Sequence, residues 1–560
     1  MSTVANDSPV SPVLLPARGS GIQRPDVWLI TAAVICNVLW RLVRYGLNFP
    51  VWGDEAMLAV NICDRDWMGV TRTLDYNQTA PIGFLWAEQW LAALLGQSLY
   101  ALRLLPLISG ICSTLLFVRL AVTWLPRRSA MLAIAVFCAS YYPVRHSTEI
   151  KPYASDLFLC LCLTILGLAL HRNMDRMRCW LAFALLSSIS IWCSYPAVFV
   201  AGGILLSLLP NTVTHRSMRR MVAWSLAVSL LCISFVAMSR IVLAAQSHHI
   251  DALVSSEMWR VAFPPLDRPW EIPLWFLRIH AGRMMAYPVG GDDWASLFTL
   301  VLVVIGIVSA VRSRSSQGLS LLLAPAAVAL VAACVHKYPY GGSARTSLYL
   351  APTICLLAGS GCYSLCRLNR GGPAVRKRLR TVCGLLIMLT CGGVLRDVVR
   401  PYKTKSDEQL RTAFTELMRR SRPNEPWVIV NQLANHERNQ TVMPGGLTVP
   451  NFDFYTRTLA RARLRPQQHL DELASRQPAI WLIRHFSTRH PIEPSHQADA
   501  FSRLTDAYVR AEQVTWQVDR FESLQAWRFS HPRTGRRANH STHRMADSHS
   551  RDAAKIPLGN

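Results

Sequence analysis

Cysteine is missing from the C-terminal part of this chain: none of its 15 cysteines follows Cys391 in a sequence of 560 residues. Residues 401 onward therefore hold neither a disulfide framework nor a thiolate zinc site. The whole chain also lacks a Walker A motif, a dinucleotide-binding glycine pattern and an internal repeat. We accordingly expect no nucleotide cofactor.

Negative charge is scarce as well, because 34 Asp and Glu stand against 59 Lys and Arg and give a net charge of +25. Half of the residues (51%) are hydrophobic, which excludes a disordered chain and predicts an integral membrane protein. Basic loops beside anionic headgroups account for much of the positive excess, so the charge does not indicate a nucleic-acid partner.

Apolar segments close to the length that crosses a bilayer, roughly 20 residues, fill most of residues 27–400. We predict about eleven spans, and we divide the stretch from Trp180 to Leu209 in two because Pro196 interrupts it. The predicted spans are Val27–Leu47, Leu99–Trp124, Ala130–Val144, Ala154–Leu170, Trp180–Ser194, Ala197–Leu209, Met221–Leu243, Ala295–Val311, Leu319–His336, Thr346–Cys366 and Thr381–Val399.

Basic residues gather in alternate loops between these spans, with 16 Lys or Arg against the single acid Asp175. Of the 16 Asp and Glu between residues 27 and 400, all but Asp175 and Asp397 fall on the other side. Cytoplasmic loops are enriched in Lys and Arg, so this pattern predicts a cytoplasmic N-terminus and an extracytoplasmic C-terminal region. The expected location is the inner or plasma membrane of the cell, crossed many times.

The external segment after the first span is about 50 residues long, more than a simple connection needs. It contains the apolar stretch Pro81–Leu95, which is too short to cross the membrane. This stretch predicts a helix in the membrane interface, with Trp86 and Trp90 at headgroup depth.

The sequence beyond residue 400 changes character and indicates a small α/β domain. Short apolar runs predict strands at Trp427–Val430, Ala479–Ile483 and Leu524–Phe529, and helical patterns cover 407–420 and 469–475. The predicted organisation is a disordered cytoplasmic leader (1–26), an all-α polytopic membrane domain (27–400), an extracytoplasmic α/β domain (401–529) and a disordered tail (530–560).

Two adjacent carboxylates, Asp54 and Glu55, directly follow the first predicted span. A partly desolvated carboxylate at the membrane surface can act as a general base on an acceptor hydroxyl or amine. Solvated loop charges are the alternative interpretation of this pair.

A second cluster lies between the third and fourth predicted spans and places Arg145 and Lys151 on either side of Glu149. Asp156 follows one helical turn later. The two cations could hold a phosphate at headgroup level, and Glu149 could orient a substrate or bind a metal. Ion pairing within the cluster, or with lipid headgroups, would explain the same residues.

A third cluster opens a late span, where Arg345 follows Tyr338 and Tyr340. Arginine between aromatic rings suits a bidentate contact with phosphate, although snorkelling and an aromatic belt would give the same pattern. Histidine offers no metal motif, since the neighbours His248 and His249 would point apart on a helix. A divalent cation, if one is bound, should use carboxylates, and we name Asp54 and Glu149 as tentative ligands.

Together these motifs resemble the GT-C membrane glycosyltransferases. The closest branch contains protein O-mannosyltransferases, lipid A aminoarabinose transferases and bacterial lipopolysaccharide-core transferases. The resemblance covers about residues 27–400 and is most specific before residue 160. It is carried by Asp54-Glu55, the run Leu74–Phe84 (LDYNQTAPIGF), Ala101–Pro106 (ALRLLP) and Glu149–Tyr153 (EIKPY), and more loosely by Tyr338–Pro352.

The resemblance implies an inverting transfer of a sugar from a polyprenyl-phosphate carrier to a lipid, glycan or protein acceptor on the external side. It implies that Asp54 is the base and that Glu55 is its neighbour in contact with acceptor or metal. Glu149 corresponds to the acid of the second loop, with Asp156 as a further candidate. The implied donor-phosphate residues are Lys151, Arg345 and Tyr340, beside Arg145 from the second cluster.

Two other functions remain open at this stage. A multi-pass transporter or flippase of a lipid-linked or anionic substrate would share the spans, but it should carry charges near mid-membrane and often has repeated halves. A polymerase or ligase of lipid-linked glycans is the nearest enzymatic alternative. The position of the acids and cations near the ends of spans favours the glycosyltransferase.

Overall fold

The computed structural model describes residues 24–214, 217–243, 257–313, 316–368, 372–430, 448–459, 464–465, 470–487, 495–518 and 522–532. Each predicted span overlaps one or two helices in this part of the chain. The helices before residue 250 are α1 (Arg24–Gly46), α2 (Gly53–Asp64), α3 (Ile82–Leu95), α4 (Leu99–Leu102), α5 (Leu104–Trp124), α6 (Arg127–Ala139), α7 (Tyr141–Arg145), α8 (Tyr153–Arg172), α9 (Met177–Cys193), α10 (Ala197–Thr214) and α11 (Met218–Met238).

The later helices complete the membrane part and lead into the C-terminal region. They are α12 (Glu257–Arg260), α13 (Ile272–Ala281), α14 (Leu297–Arg312), α15 (Ser316–Cys334), α16 (Ala351–Arg367), α17 (Gly372–Val399), α18 (Lys405–Arg420), α19 (Thr448–Phe454), α20 (Leu470–Arg476) and α21 (Ser495–Ala507). The fold is that of a polytopic helical membrane protein, as predicted.

Seven described helices are both long and apolar enough to cross a membrane, and further apolar helices are shorter. The stretch from Trp180 to Leu209 forms two helices, α9 and α10, which confirms the predicted division. The predicted third span is shorter than expected, because the chain becomes extended at Ser140 between α6 and α7. Pro143 lies in the first turn of α7, where a missing backbone N–H is tolerated.

Small residues let the helices of the membrane part approach closely. A Cβ on Gly359 of α16 would lie within 3 Å of the backbone of Ala133 in α6. A Cβ on Gly306 of α14 would collide with the carbonyl of Leu357 in α16. Glycine at these positions therefore lets α16 pack closely against both α6 and α14.

The first and last helices of the membrane part are joined by a buried polar network. Arg44 of α1 forms an ion pair with Asp397 of α17 at 2.8 Å, and Trp40 Nε1 donates to the same carboxylate at 2.8 Å. Arg44 Nε also donates to Thr148 Oγ1 at 2.9 Å. This network fixes the C-terminal end of α17 beside the loop that contains Glu149.

The C-terminal region contains a five-stranded mixed sheet in the order β2-β1-β3-β5-β4. Its strands are β1 (Trp427–Val430), β2 (Leu464–Arg465), β3 (Ala479–Ser487), β4 (Tyr508–Gln517) and β5 (Glu522–Pro532). Strand residues alternate between two faces: Trp481 and Ile483 enter a core with α18, whereas Ile480 and Leu482 pack toward α20 and α21. The three strands predicted from sequence are confirmed, and β2 and β4 are additions.

The sheet region packs directly on the segment between α1 and α5, which the charge pattern predicts to be external. Residues of α2, including Leu58 and Ile62, share one hydrophobic core with Phe414 of α18 and Trp481 of β3. Across this contact Tyr76 donates its hydroxyl hydrogen to Asp453, at 2.7 Å. The C-terminal region thus covers the segment that contains Asp54.

Helix α3 carries its tryptophans on an exposed apolar surface, as predicted for an interfacial helix. Trp86 is 37% and Trp90 is 56% exposed. At the end of the chain β5 continues to Pro532, three residues beyond the predicted end of the α/β domain. The predicted tail beyond that residue, most of the predicted leader, and His248 and His249 lie outside the described residues.

Candidate active site

Helix α2 begins directly after the first span and places Asp54 and Glu55 in its first turn. Carboxylates are favoured there by the helix dipole. Successive residues of an α-helix point about 100° apart, so the two neighbours enter different surroundings. Asp54 keeps partial exposure, whereas Glu55 is 1% exposed.

Asp54 forms ion pairs with two cations from distant segments. Its Oδ1 lies 3.0 Å from Lys151 Nζ, and its Oδ2 lies 2.5 Å from Arg345 Nη1. Burial by itself would raise the pKa of Asp54, but Lys151 and Arg345 lower it to about 2. The structure therefore brings together three residues that sequence reasoning assigned to separate clusters.

Glu55 is enclosed by the protein and does not face this site. Arg103 binds both of its carboxylate oxygens, at 3.0 and 2.9 Å, and the backbone N–H of Ile150 donates to it at 2.9 Å. Arg103 therefore makes a bidentate contact, with one N–H donated to each carboxylate oxygen of Glu55. Glu55 thus ties the start of α2 to Arg103, directly before α5, and to the loop before α8.

Glu149 occupies the other side of the site and is also paired. Its Oε1 accepts from Arg145 Nε at 2.7 Å, and its Oε2 lies 2.7 Å from His146 Nδ1. Burial would raise the pKa of Glu149, but Arg145 and His146 hold it well below its usual value. Glu149 is therefore an anion that orients Arg145.

Two cations lie near the indole of Trp52, the residue before α2. Arg145 lies 5.8 Å from its ring centroid, and Lys403 Nζ lies over the same ring. Aromatic faces attract cations in this geometry. Trp52 therefore links the Glu149 side of the site to the segment that follows α17.

Two more contacts orient the cations that bind Asp54. Lys151 Nζ donates to Gln78 Oε1 at 2.7 Å, and the guanidinium of Arg345 lies 5.4 Å from the ring centroid of Trp259. Gln78 belongs to the motif at residues 74–84, which gives that motif a structural role. Trp259 was not among the residues predicted from sequence.

Tyr340 and Asp156 are not joined to this cluster by a described hydrogen bond or ion pair. The hydroxyl of Tyr340 lies 3.2 Å from His280 Nε2 in a neighbouring aromatic group. Asp156 lies in the first turn of α8 and is buried near Ser194. Their predicted roles thus remain predictions.

The site carries an excess of positive charge. Within the described residues, Arg145, Lys151, Arg345 and Lys403 face two carboxylates, Asp54 and Glu149. These residues come from the start of α2, the end of α7 and the loop that follows it, the loop before α16 and the segment after α17. The predicted topology places all of them on one side of the membrane. Such a cluster is suited to bind a phosphate.

The carboxylates named as tentative metal ligands direct their oxygens to these cations instead. In the part of the chain that the structure describes, no three His, Cys, Asp or Glu side chains form a metal-binding group. The residues around Asp54 and Glu149 therefore do not fit a bound divalent cation.

Part of the chain matches a known protein family. Residues 79–239 match the family described as dolichyl-phosphate-mannose-protein mannosyltransferase. The match runs from the segment before α3 to the end of α11 and covers less than half of the chain. The matched segment includes Glu149 and Lys151 of the site, and the resemblance predicted from sequence is confirmed.

Solved structures similar to this chain include ArnT from Cupriavidus metallidurans bound to undecaprenyl phosphate. It is 14% identical, with a TM-score of 0.48, over 89% of this chain and 98% of that chain. The apo form of ArnT gives 13% identity and a TM-score of 0.48 over 90% and 98%. The oligosaccharyltransferase of Archaeoglobus fulgidus gives 11% and 0.42 over 78% and 62%. No curated protein matches the chain.

Sequence reasoning missed Lys403, which reaches the site from beyond the last predicted span. A signal was present, because Lys403 follows α17 closely and the charge pattern assigned that end of α17 to the external side. Trp52 lies two residues before Asp54 in the sequence. Its position between α1 and α2 now explains its contact with the cations.

Proposed function

We propose that the chain transfers a sugar, with inversion, from a polyprenyl-phosphate donor to a lipid, glycan or protein acceptor on the extracytoplasmic face of the membrane. The observation that carries this proposal is the cluster of four cations around the carboxylates Asp54 and Glu149. The family match at residues 79–239, to enzymes named for a dolichyl-phosphate-linked donor, supports the donor class.

The reaction needs a base for the acceptor and positive charge for the leaving group. The acceptor oxygen attacks the anomeric carbon, and its proton passes to the carboxylate of Asp54. The bond between the anomeric carbon and the phosphate oxygen breaks, and the phosphate leaves with the electron pair. Because its negative charge grows as it departs, cations already in place stabilise the transition state more than the bound donor.

Lys151 and Arg345 have a double role in this scheme. Without donor they bind Asp54, and the low pKa that they impose makes Asp54 a weak base. A donor phosphate competes for both cations, which weakens their hold on Asp54 and raises its pKa. Donor binding would thus prepare the base that the transfer step requires.

Glu149 and Glu55 act through other residues in this proposal. Glu149 holds Arg145 and His146 in place by ion pairing and hydrogen bonding. Glu55 fixes Arg103 and the backbone of Ile150, one residue before Lys151. Both are positioning residues, so Asp54 is the acid that meets the acceptor.

The extracytoplasmic location follows from charge rather than from the fold. The loops on the opposite side of the membrane part hold 16 Lys or Arg and one acid. The positive-inside rule assigns these loops to the cytoplasm. The site then faces outward, together with the C-terminal sheet that covers it. A lipid-linked donor suits this face, because the sugar arrives already activated by its phosphate.

Transfer of radiolabelled sugar from polyprenyl-phosphate hexoses or pentoses tests the proposal. The purified chain in lipid nanodiscs would be compared with Asp54→Asn and with Asp267→Asn, an exposed acid of another external segment used as control. We expect transfer by the unmodified chain and by the control, and loss of transfer in Asp54→Asn. Transfer from none of these donors by the unmodified chain would contradict the proposal.

A further inference from the structure

Lys403 occupies a fixed position between the membrane part and the C-terminal region. On one side, Asp397 at the end of α17 is held by Arg44. On the other side, Thr404 caps α18 by accepting a hydrogen bond from the backbone N–H of Asp407 at 3.3 Å. This short connection between two anchored helices places Lys403 Nζ over the ring of Trp52.

The ammonium of Lys403 faces a set of charges that are already paired with one another. The nearby acids are Asp54 and Glu149, and the nearby cations are Arg145 and Arg345. Asp54 is bound by Lys151 and Arg345, and Glu149 by Arg145 and His146. Within the described residues, no carboxylate lies within ion-pair distance of Lys403.

An additional anion would therefore be stabilised at this position. Although Lys403 keeps access to solvent, desolvation of its ammonium and repulsion by Arg145 lower the pKa of Lys403 to about 7. The ring of Trp52 supplies cation–π attraction but no full negative charge. A phosphate between Lys403 and Arg145 would relieve this repulsion and accept a hydrogen bond from Lys403.

We propose that Lys403 binds the phosphate of the polyprenyl-linked donor and stabilises it as the leaving group. The inference rests on the proposed function and adds a residue from beyond the last span to the donor site. Because Lys403 lies two residues before α18, the C-terminal region helps to build the site where the donor reacts. A purely structural cation–π contact with Trp52 is the competing explanation.

Replacement of Lys403 by Met and by Arg separates these explanations. Lys403→Met keeps an apolar stem over Trp52 but removes the charge, whereas Lys403→Arg keeps the charge at every accessible pH. Lys405→Met, an exposed lysine in the first turn of α18, is the matched control. Each full-length variant would be measured for binding of undecaprenyl phosphate alone and for kcat and KM of sugar transfer.

We expect Lys403→Met to lose about 10- to 100-fold in undecaprenyl phosphate affinity and in kcat/KM for the donor, the range of a charge-assisted hydrogen bond. Lys403→Arg should recover most of both, and the acceptor KM should stay unchanged in all variants. The control Lys405→Met should behave as the unmodified chain.

Equal binding and transfer in Lys403→Met and the unmodified chain would overturn this inference and leave the proposed function intact. Equal losses in the Met and Arg variants, together with a lowered melting temperature, would also overturn it in favour of a structural contact. If the unmodified chain neither bound undecaprenyl phosphate nor transferred sugar, the proposed function would fail as well.

Discussion

The surroundings of Asp54 and of Glu55 form two regions of opposite character around one helix start. Asp54 keeps access to solvent and binds cations from two separate segments of the chain, at 3.0 and 2.5 Å. Glu55 is enclosed and binds Arg103 with both oxygens. The first region, around Asp54, contains more cations than carboxylates. In the second, the charges of Glu55 and Arg103 neutralise each other.

This difference shows how two neighbouring residues of the same charge can have different roles, one in the reaction and the other in the structure. An unbalanced region can accept a further anion, and its carboxylate changes basicity when that anion arrives. A balanced, buried ion pair has no remaining partner to exchange and serves to fix its neighbours. Here Glu55 fixes the backbone beside Lys151, so the closed region positions the open one.

The largest expected effect is on the open region. Asp54→Asn should lower kcat by about 10²- to 10⁴-fold, the usual contribution of a general base, while donor binding persists through Lys151 and Arg345. Initial rates and donor KM in nanodiscs measure both quantities. If kcat stayed within about twofold, the base would have to be another group, with Glu149 as the next candidate.

The opposite outcome is expected for the closed region. Glu55→Ala leaves the guanidinium of Arg103 buried without its partner, which costs about 3–5 kcal/mol of stability. The melting temperature in detergent should therefore fall clearly, and the activity of the protein that remains folded should fall much less than in Asp54→Asn. Glu271→Gln, at a partly exposed ion pair, is the control and should melt normally. A normal melting temperature for Glu55→Ala would contradict the structural role.

The division between these regions was only partly visible in the sequence. Hydropathy predicted the spans, and Pro196 predicted the break between α9 and α10. The motif also singled out Asp54 and Glu55 as a pair. It could not tell them apart, because their roles depend on Arg103, Lys151 and Arg345, which the tertiary fold brings from far along the chain.

The C-terminal region was predicted less completely. Its buried strands β1, β3 and β5 have compact apolar runs and were found. Strand β4 mixes polar and apolar residues at the edge of the sheet, so its sequence lacks that signal. Lys403 was missed because its contact with Trp52 depends on how α17 ends and α18 begins.

A smaller effect should appear when one cation of the open region is removed. Arg345→Met should raise the pKa of Asp54, because burial raises it and only Lys151 and Lys403 then remain to oppose that effect. The base must be ionised, so activity would be lost as pH falls through this higher pKa. We expect kcat/KM near pH 4.5 to drop by about half or more relative to pH 6.5 in this variant.

The control for this pH effect is Arg345→Lys, which keeps the charge beside Asp54. Its kcat/KM is expected to change little between the same two pH values, as in the unmodified chain, even if its contact with phosphate is weaker. An acid limb shared equally by the Met and Lys variants would show that Arg345 does not control the basicity of Asp54.

A further effect concerns the charge of Lys403, the group of the open region that titrates near neutrality. Its pKa of about 7 means that the ammonium is present below that pH and lost as pH rises above it. Donor phosphate binds the protonated form, so donor KM should rise by about three- to tenfold between pH 6 and pH 8.5. Lys403→Arg stays charged throughout and should flatten this rise, because its guanidinium does not titrate in that range. If donor KM rose equally with pH in the unmodified chain and in Lys403→Arg, the pH dependence would belong to another group. The charge of Lys403 would then not change between pH 6 and pH 8.5.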